Sequence, residues 1–153
     1  MSMTTGEARH TDHPLRELVA CDARGRATEE EAAHLRKPEV LEHWTDALHE
    51  LLTDISAQFQ ERKAALKRKR IECLARGEAG RQEWYEYSAN NEKWKAGALR
   101  FKAGLEKSMR EAKRREHEHK QRAVAEERES LHEVLEDVRV RIERIEKKLE
   151  ERA

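Results

Sequence analysis

Two ladders of apolar residues at heptad spacing constrain this chain more than any other feature. The first runs Leu41, Trp44, Leu48, Leu51, Ile55, Phe59 and Leu66. The second runs Trp84, Tyr87, Asn91, Trp94, Ala98, Phe101, Leu105, Ser108 and Ala112. Steps that alternate three and four keep one stripe of a helix turned toward a neighbouring helix. Between the ladders stands Gly77-Glu-Ala-Gly80, a helix-breaking interruption. The pattern predicts an antiparallel helical hairpin over 28–118, with residue i opposite about 157 − i. In that register Phe59 faces Ala98, Leu52 faces Leu105 and Cys73 lies beside Trp84. Apolar meets apolar along most of the length.

The composition agrees with long, thin helices. Of 153 residues, 42% are charged and only 37% are hydrophobic, too little for a large compact core. No apolar window of about 18 residues exists, so no transmembrane helix is expected, and the N-terminus lacks the apolar run of a signal peptide. Cys21 and Cys73 fall in different predicted elements and read as free thiols in a reducing cytosol. The expected compartment is therefore cytoplasmic.

Before the hairpin, 1–27 reads as largely disordered with one short helix. Pro14 opens that helix and Gly25 stops it. Thr28 and Glu31 have capping-box spacing and start a second short helix. Pro38 breaks the chain before the first long helix. Gly97 and Gly104 lie seven apart within the second long helix, and they serve close approach of another helix or are simply tolerated.

A third ladder occupies 119–153: Val124, Arg128, Leu131, Leu135, Val138, Ile142, Ile145 and Leu149. Only Arg128 interrupts its apolar set, and no Gly or Pro intervenes. This is the pattern of a coiled coil. The ladder needs a partner. It either folds onto the hairpin as a third helix or pairs with a second copy, with the dimer slightly favoured. Leu131, Leu135, Val138, Ile142, Ile145 and Leu149 are the candidate oligomer interface.

The formal net charge of zero hides an asymmetry. Residues 1–60 carry −6, 61–122 carry +9 and 123–153 carry −3. The basic middle suits an acidic partner, or the chain's own acidic ends. Arg62, Lys63, Lys67, Arg68, Lys69 and Arg70 form one cluster; Lys113, Arg114 and Arg115 belong to another. Lys93, Lys95, Arg100 and Lys102 are predicted on the facing helix. Phosphates reward such density by counterion release. Trp84, Tyr87 and Trp94 lie near the first cluster but belong to the ladder, so they read as core rather than as stacking platforms.

Little here resembles catalysis. There is no G-x-S-x-G, H-E-x-x-H, Walker loop or G-x-G-x-x-G, and the carboxylates alternate with cations as on solvated helix faces. No enzyme activity, cofactor or small-molecule substrate is expected. His10, His13, Cys21 and His34 lack the close ligand pairing of a zinc site. His117 and His119 point to different helix faces.

Thr28-Glu-Glu-Glu, Leu35-Arg-Lys-Pro38, Trp44, Trp94-Lys-Ala-Gly-Ala-Leu-Arg-Phe-Lys102 and Glu111-Ala-Lys-Arg114 resemble small uncharacterised helical proteins of actinobacteria and of their phages or prophages. The resemblance spans Thr28 to Arg114 and implies origin more than function. The expected fold is all-α: a long antiparallel hairpin, a short N-terminal helix capping its open end, and a C-terminal coiled-coil segment. The expected role is a non-enzymatic interaction or adaptor protein. Nucleic-acid binding through the basic middle is the alternative.

Overall fold

The computed structural model describes residues 13–153 of the chain. The described residues form four helices: α1 (His13–Ala23), α2 (Glu29–Leu35), α3 (Leu41–Ala75) and α4 (Glu78–Arg152). Among the described residues there is no strand, and the long helices α3 and α4 pack as an antiparallel hairpin.

Local chemistry places the breaks. The Thr28 hydroxyl accepts from the Glu31 backbone N–H at 3.1 Å, and the Glu31 carboxylate accepts from the Thr28 N–H at 3.1 Å. This reciprocal box starts α2. Gly25 (φ +73°) follows α1 and Gly77 (φ +65°) follows α3, each in the left-handed region that a side chain disfavours. Gly77 alone makes the turn. Gly80, expected in the break, is helical, because α4 already begins at Glu78. A Cβ at Gly80 would fall on the Cys73 carbonyl, so this glycine serves close helix approach instead.

The shorter turn moves the pairing. Cys73 meets Gly80 rather than Trp84, and the Phe59 ring meets Trp94 edge-on at 5.2 Å rather than Ala98. Both are four residues short of the predicted register. Four residues is about one helical turn, so the same stripes still face each other.

The described chain divides between Lys113 and Arg114 into two units. The sequence pattern places that line at 118/119. Ala112 is the last buried residue of α4, and the polar run after it has nothing apolar to contribute to a core.

In the first unit the core gathers where α1 and α2 join the hairpin. Val19 of α1 and Leu35 of α2 are fully buried with Trp44, Ala47 and Leu48 of α3 and Leu105 and Ala112 of α4. Two facing helices bury one stripe each; added helices cover their flanks. That is why Ala47 and Met109, off the ladders, are also buried. Toward the turn only Cys73 and Gly80 are buried, and Ile71 and Leu74 stand exposed.

Both short helices expected before the hairpin form, and they take different positions. α1 lies along the side of the hairpin: Arg16 pairs with Glu50 and Asp54, and Gly104 backs onto the Ala23 carbonyl. α2 serves the open end. Arg36, which follows it, donates from Nε to Glu111 at 2.8 Å and from Nη1 to the Ala32 carbonyl at 2.9 Å. The N-terminal stretch from Pro14 is therefore part of the packed unit, because burying Val19 offsets the cost of ordering it. Of the largely disordered stretch expected over 1–27, residues 1–12, with His10, lie outside the described residues.

The second unit is the remainder of α4, from Arg114 onward. Its Val124 and its ladder residues from Leu131 to Leu149 are 44–67% exposed. No other element of that unit covers them.

Candidate functional site

Two surfaces hold most of the sequence-predicted site residues, and the fold adds a third. The first is the C-terminal ladder. Leu131, Leu135, Val138, Ile142, Ile145 and Leu149 are all exposed, and Val134 beside them is exposed too. Alternating steps of three and four bring them to one face. The flanks are laced by pairs within the helix: Arg139 with Glu136 and Glu143, and Arg141 with Asp137 at 3.3 Å. The bond to Glu136 and the nearby carboxylates raise the Arg139 pKa above its ordinary value. An apolar stripe between charged flanks can join another helix and has no means to do covalent chemistry.

The second surface is the basic cluster on α3, and the structure sorts it into two sets. Arg62 and Lys69 turn toward α4. The Arg62 guanidinium sits 4.6 Å from the Trp94 ring centroid. Lys69 donates to Glu83 at 2.5 Å and lies 5.7 Å from the Tyr87 ring centroid. Glu83 also takes Arg76 at 2.5 Å. Hydrogen bonds from Lys69 and Arg76 hold the Glu83 carboxyl below its ordinary value, and the bond to Glu83 raises Lys69. Lys63, Lys67, Arg68 and Arg70 are exposed and make no ion pair among the described residues. Sequence alone did not separate the sets, since all six residues have the same charge class. The heptad phase is the signal that would have done so.

Lys113 does not join this cluster. It lies 26 residues along α4 from Tyr87, which Lys69 touches, or about 39 Å at ~1.5 Å per residue. Arg114 and Arg115 belong to the second unit, where Arg114 pairs with Glu118 at 2.8 Å.

The third surface is a cleft of about 790 Å³ beside Gly97, which sequence reading missed. α1 and the turn after it supply Arg16, Arg24 and Arg26; α3 supplies Asp54 and Gln58; α4 supplies Lys93, Trp94, Arg100 and Phe101. Gly97 faces open space in this cleft, since an added Cβ there would meet nothing within 4 Å. Arg16 is held by Asp54 and Glu50, and Arg24 stacks 4.0 Å from the Phe101 ring centroid. Arg26, Lys93 and Arg100 are exposed and unpaired among the described residues. The arrangement attracts anions but provides no nucleophile with an adjacent base. Only the chain's folding of residues 16–26 beside 93–101 brings these cations together.

The two cysteines are free, Cys21 exposed and Cys73 buried. No group of three or more His, Cys, Asp or Glu among the described residues forms a metal cluster. No described helix is long and apolar enough to cross a membrane. Comparison with family models, curated proteins and solved structures finds no match to the chain.

Proposed function

We propose that this chain is a non-enzymatic coiled-coil interaction protein, a cytoplasmic accessory factor of phage or prophage origin. Its last ladder assembles copies of the chain, and its hairpin is a stiff scaffold for a protein partner. The observation that carries this reading is the exposed stripe from Leu131 to Leu149. Fully burying one such side chain is worth about 1.5–3 kcal/mol. Covering the exposed half of six of them contributes on the order of 5–9 kcal/mol per chain, enough to offset much of the cost of association.

Light-scattering mass on the full chain tests the reading. The wild type is expected to be oligomeric, and Leu135→Asp with Ile142→Asp monomeric but still helical in the hairpin. A wild type that stays monomeric at high concentration refutes the assembly role. An oligomeric double variant moves the interface elsewhere.

A second reading, a nucleic-acid-binding accessory protein, is supported by the exposed, unpaired Lys63, Lys67, Arg68 and Arg70. It requires affinity for mixed oligonucleotides that falls steeply with salt and falls again when these four become Ala. Lys69 is left in place because Glu83 depends on it. No binding at low salt eliminates this reading.

A further inference from the structure

We propose that the C-terminal ladder joins three or four copies of this chain, parallel and in register, rather than two. The inference rests on the self-assembly reading above and specifies its stoichiometry and orientation.

Heptad phase is set by the step lengths. A step of three runs from a to d and a step of four from d to a. Leu135, Ile142 and Leu149 are therefore a residues, and Leu131, Val138 and Ile145 are d residues. Parallel dimers favour β-branched residues at a with Leu at d. Here the order is largely reversed. Leu occupies a at 135 and 149, while β-branched residues occupy d at 138 and 145. Leu at a with Ile at d, and Ile at both, each shift the preference to three or four strands. Val134 reinforces this. It stands at g, outside the a/d seam, and is 57% exposed. A two-stranded seam leaves a g residue at its rim, whereas in a wider bundle the neighbouring helix covers more of it, here with the aliphatic stem of Arg139.

Charge sets the direction. In a parallel, in-register bundle each g residue faces e of the next heptad on a neighbour. Arg141 then meets Glu146, Glu127 meets His132, and no like-charged pair arises at these flanks. The antiparallel alternative that stacks Leu135 on Val138 gains Glu127 with Lys148. It also sets Arg139 against Arg139 at the centre and points Arg128 at Ile145. In the parallel bundle the Arg128 side chains share the first a layer, at the end of the ladder, where each can turn outward toward a neighbour's Glu127.

Sedimentation equilibrium on the full chain reads the count. The expected mass is roughly three or four times that of the chain. Leu135→Ile, Val138→Leu, Ile145→Leu and Leu149→Ile together restore the dimer pattern and are expected to lower the mass to roughly twice that of the chain. A wild-type dimer overturns the stoichiometry while leaving self-assembly intact; a monomer overturns both. Direction is read separately with Ala153→Cys in a Cys21→Ser background, where the remaining Cys73 is buried. Parallel chains crosslink at low protein concentration under mild oxidation. An oligomer that does not crosslink overturns the parallel arrangement.

Discussion

Gly97 and Gly104 differ by two helical turns of α4, yet the same substitution is expected to act on them with opposite sign. In a helix interior Gly costs about 1 kcal/mol relative to Ala. At Gly97 nothing lies within 4 Å of an added Cβ, so Gly97→Ala collects that gain and should stabilise the first unit by about 1 kcal/mol. At Gly104 the added Cβ falls on the Ala23 carbonyl and its carbon. Backbone, unlike a flexible side-chain end, cannot swing aside. α1 must shift, disturbing the seat of Val19, which is fully buried. Overpacking of this kind costs about 1–3 kcal/mol and outweighs the propensity gain. The two variants should differ by about 1–3 kcal/mol. Urea unfolding followed by far-UV circular dichroism, at one protein concentration, reads this as midpoints about 1 M apart. A Gly104→Ala variant as stable as Gly97→Ala would show that α1 does not seat on Gly104, and the argument for the side-lying position of α1 would fail.

Two further outcomes follow from the ion pairs. Glu83 has a depressed pKa because it accepts from Lys69 and Arg76, so its stabilising contribution is present above the ordinary carboxylate value of 4.5 and is lost as pH falls through its lower folded value. The wild type should therefore lose more stability than Glu83→Gln as pH is lowered below about 4.5 in urea titrations, and parallel acid limbs would contradict the pairing. Arg36 binds Glu111, Asp22 and the Ala32 carbonyl and lies 5.2 Å from the Trp44 ring centroid. Arg36→Ala should cost about 1–3 kcal/mol in thermal or urea unfolding, and Arg36→Lys should recover little of it, because an ammonium has no planar fork; full recovery by Lys would refute the bidentate role.

Much of the fold was legible because helical periodicity is written locally. The Thr28–Glu31 box, the stops at Gly25 and Gly77 and the break around Pro38 each depend on a few neighbouring residues, and each appears where those residues stand. The ladders chose the facing stripes for the same reason. What failed was longer in range. Gly77-Glu-Ala-Gly80 looked like one break because both glycines weaken a helix, but only Gly77 takes a left-handed φ. Gly80 is required by the Cys73 carbonyl across the hairpin, a contact no local pattern encodes.

The candidate sites divide along the same line. The sequence by itself determined the apolar stripe from Leu131 to Leu149 and the basic run from Arg62 to Arg70, since spacing and charge are properties of the chain. Tertiary structure alone decided which cations remain available. Lys69 is drawn to Glu83 and Arg62 to Trp94 because α4 lies against that face of α3, while Lys67 and Arg68 point away. It alone assembled the cleft beside Gly97 from residues as far apart as Arg16 and Phe101, and it alone gave Gly97 and Gly104 of α4 different roles. A helix face is set by its own residues, but what lies against it depends on where the rest of the chain packs.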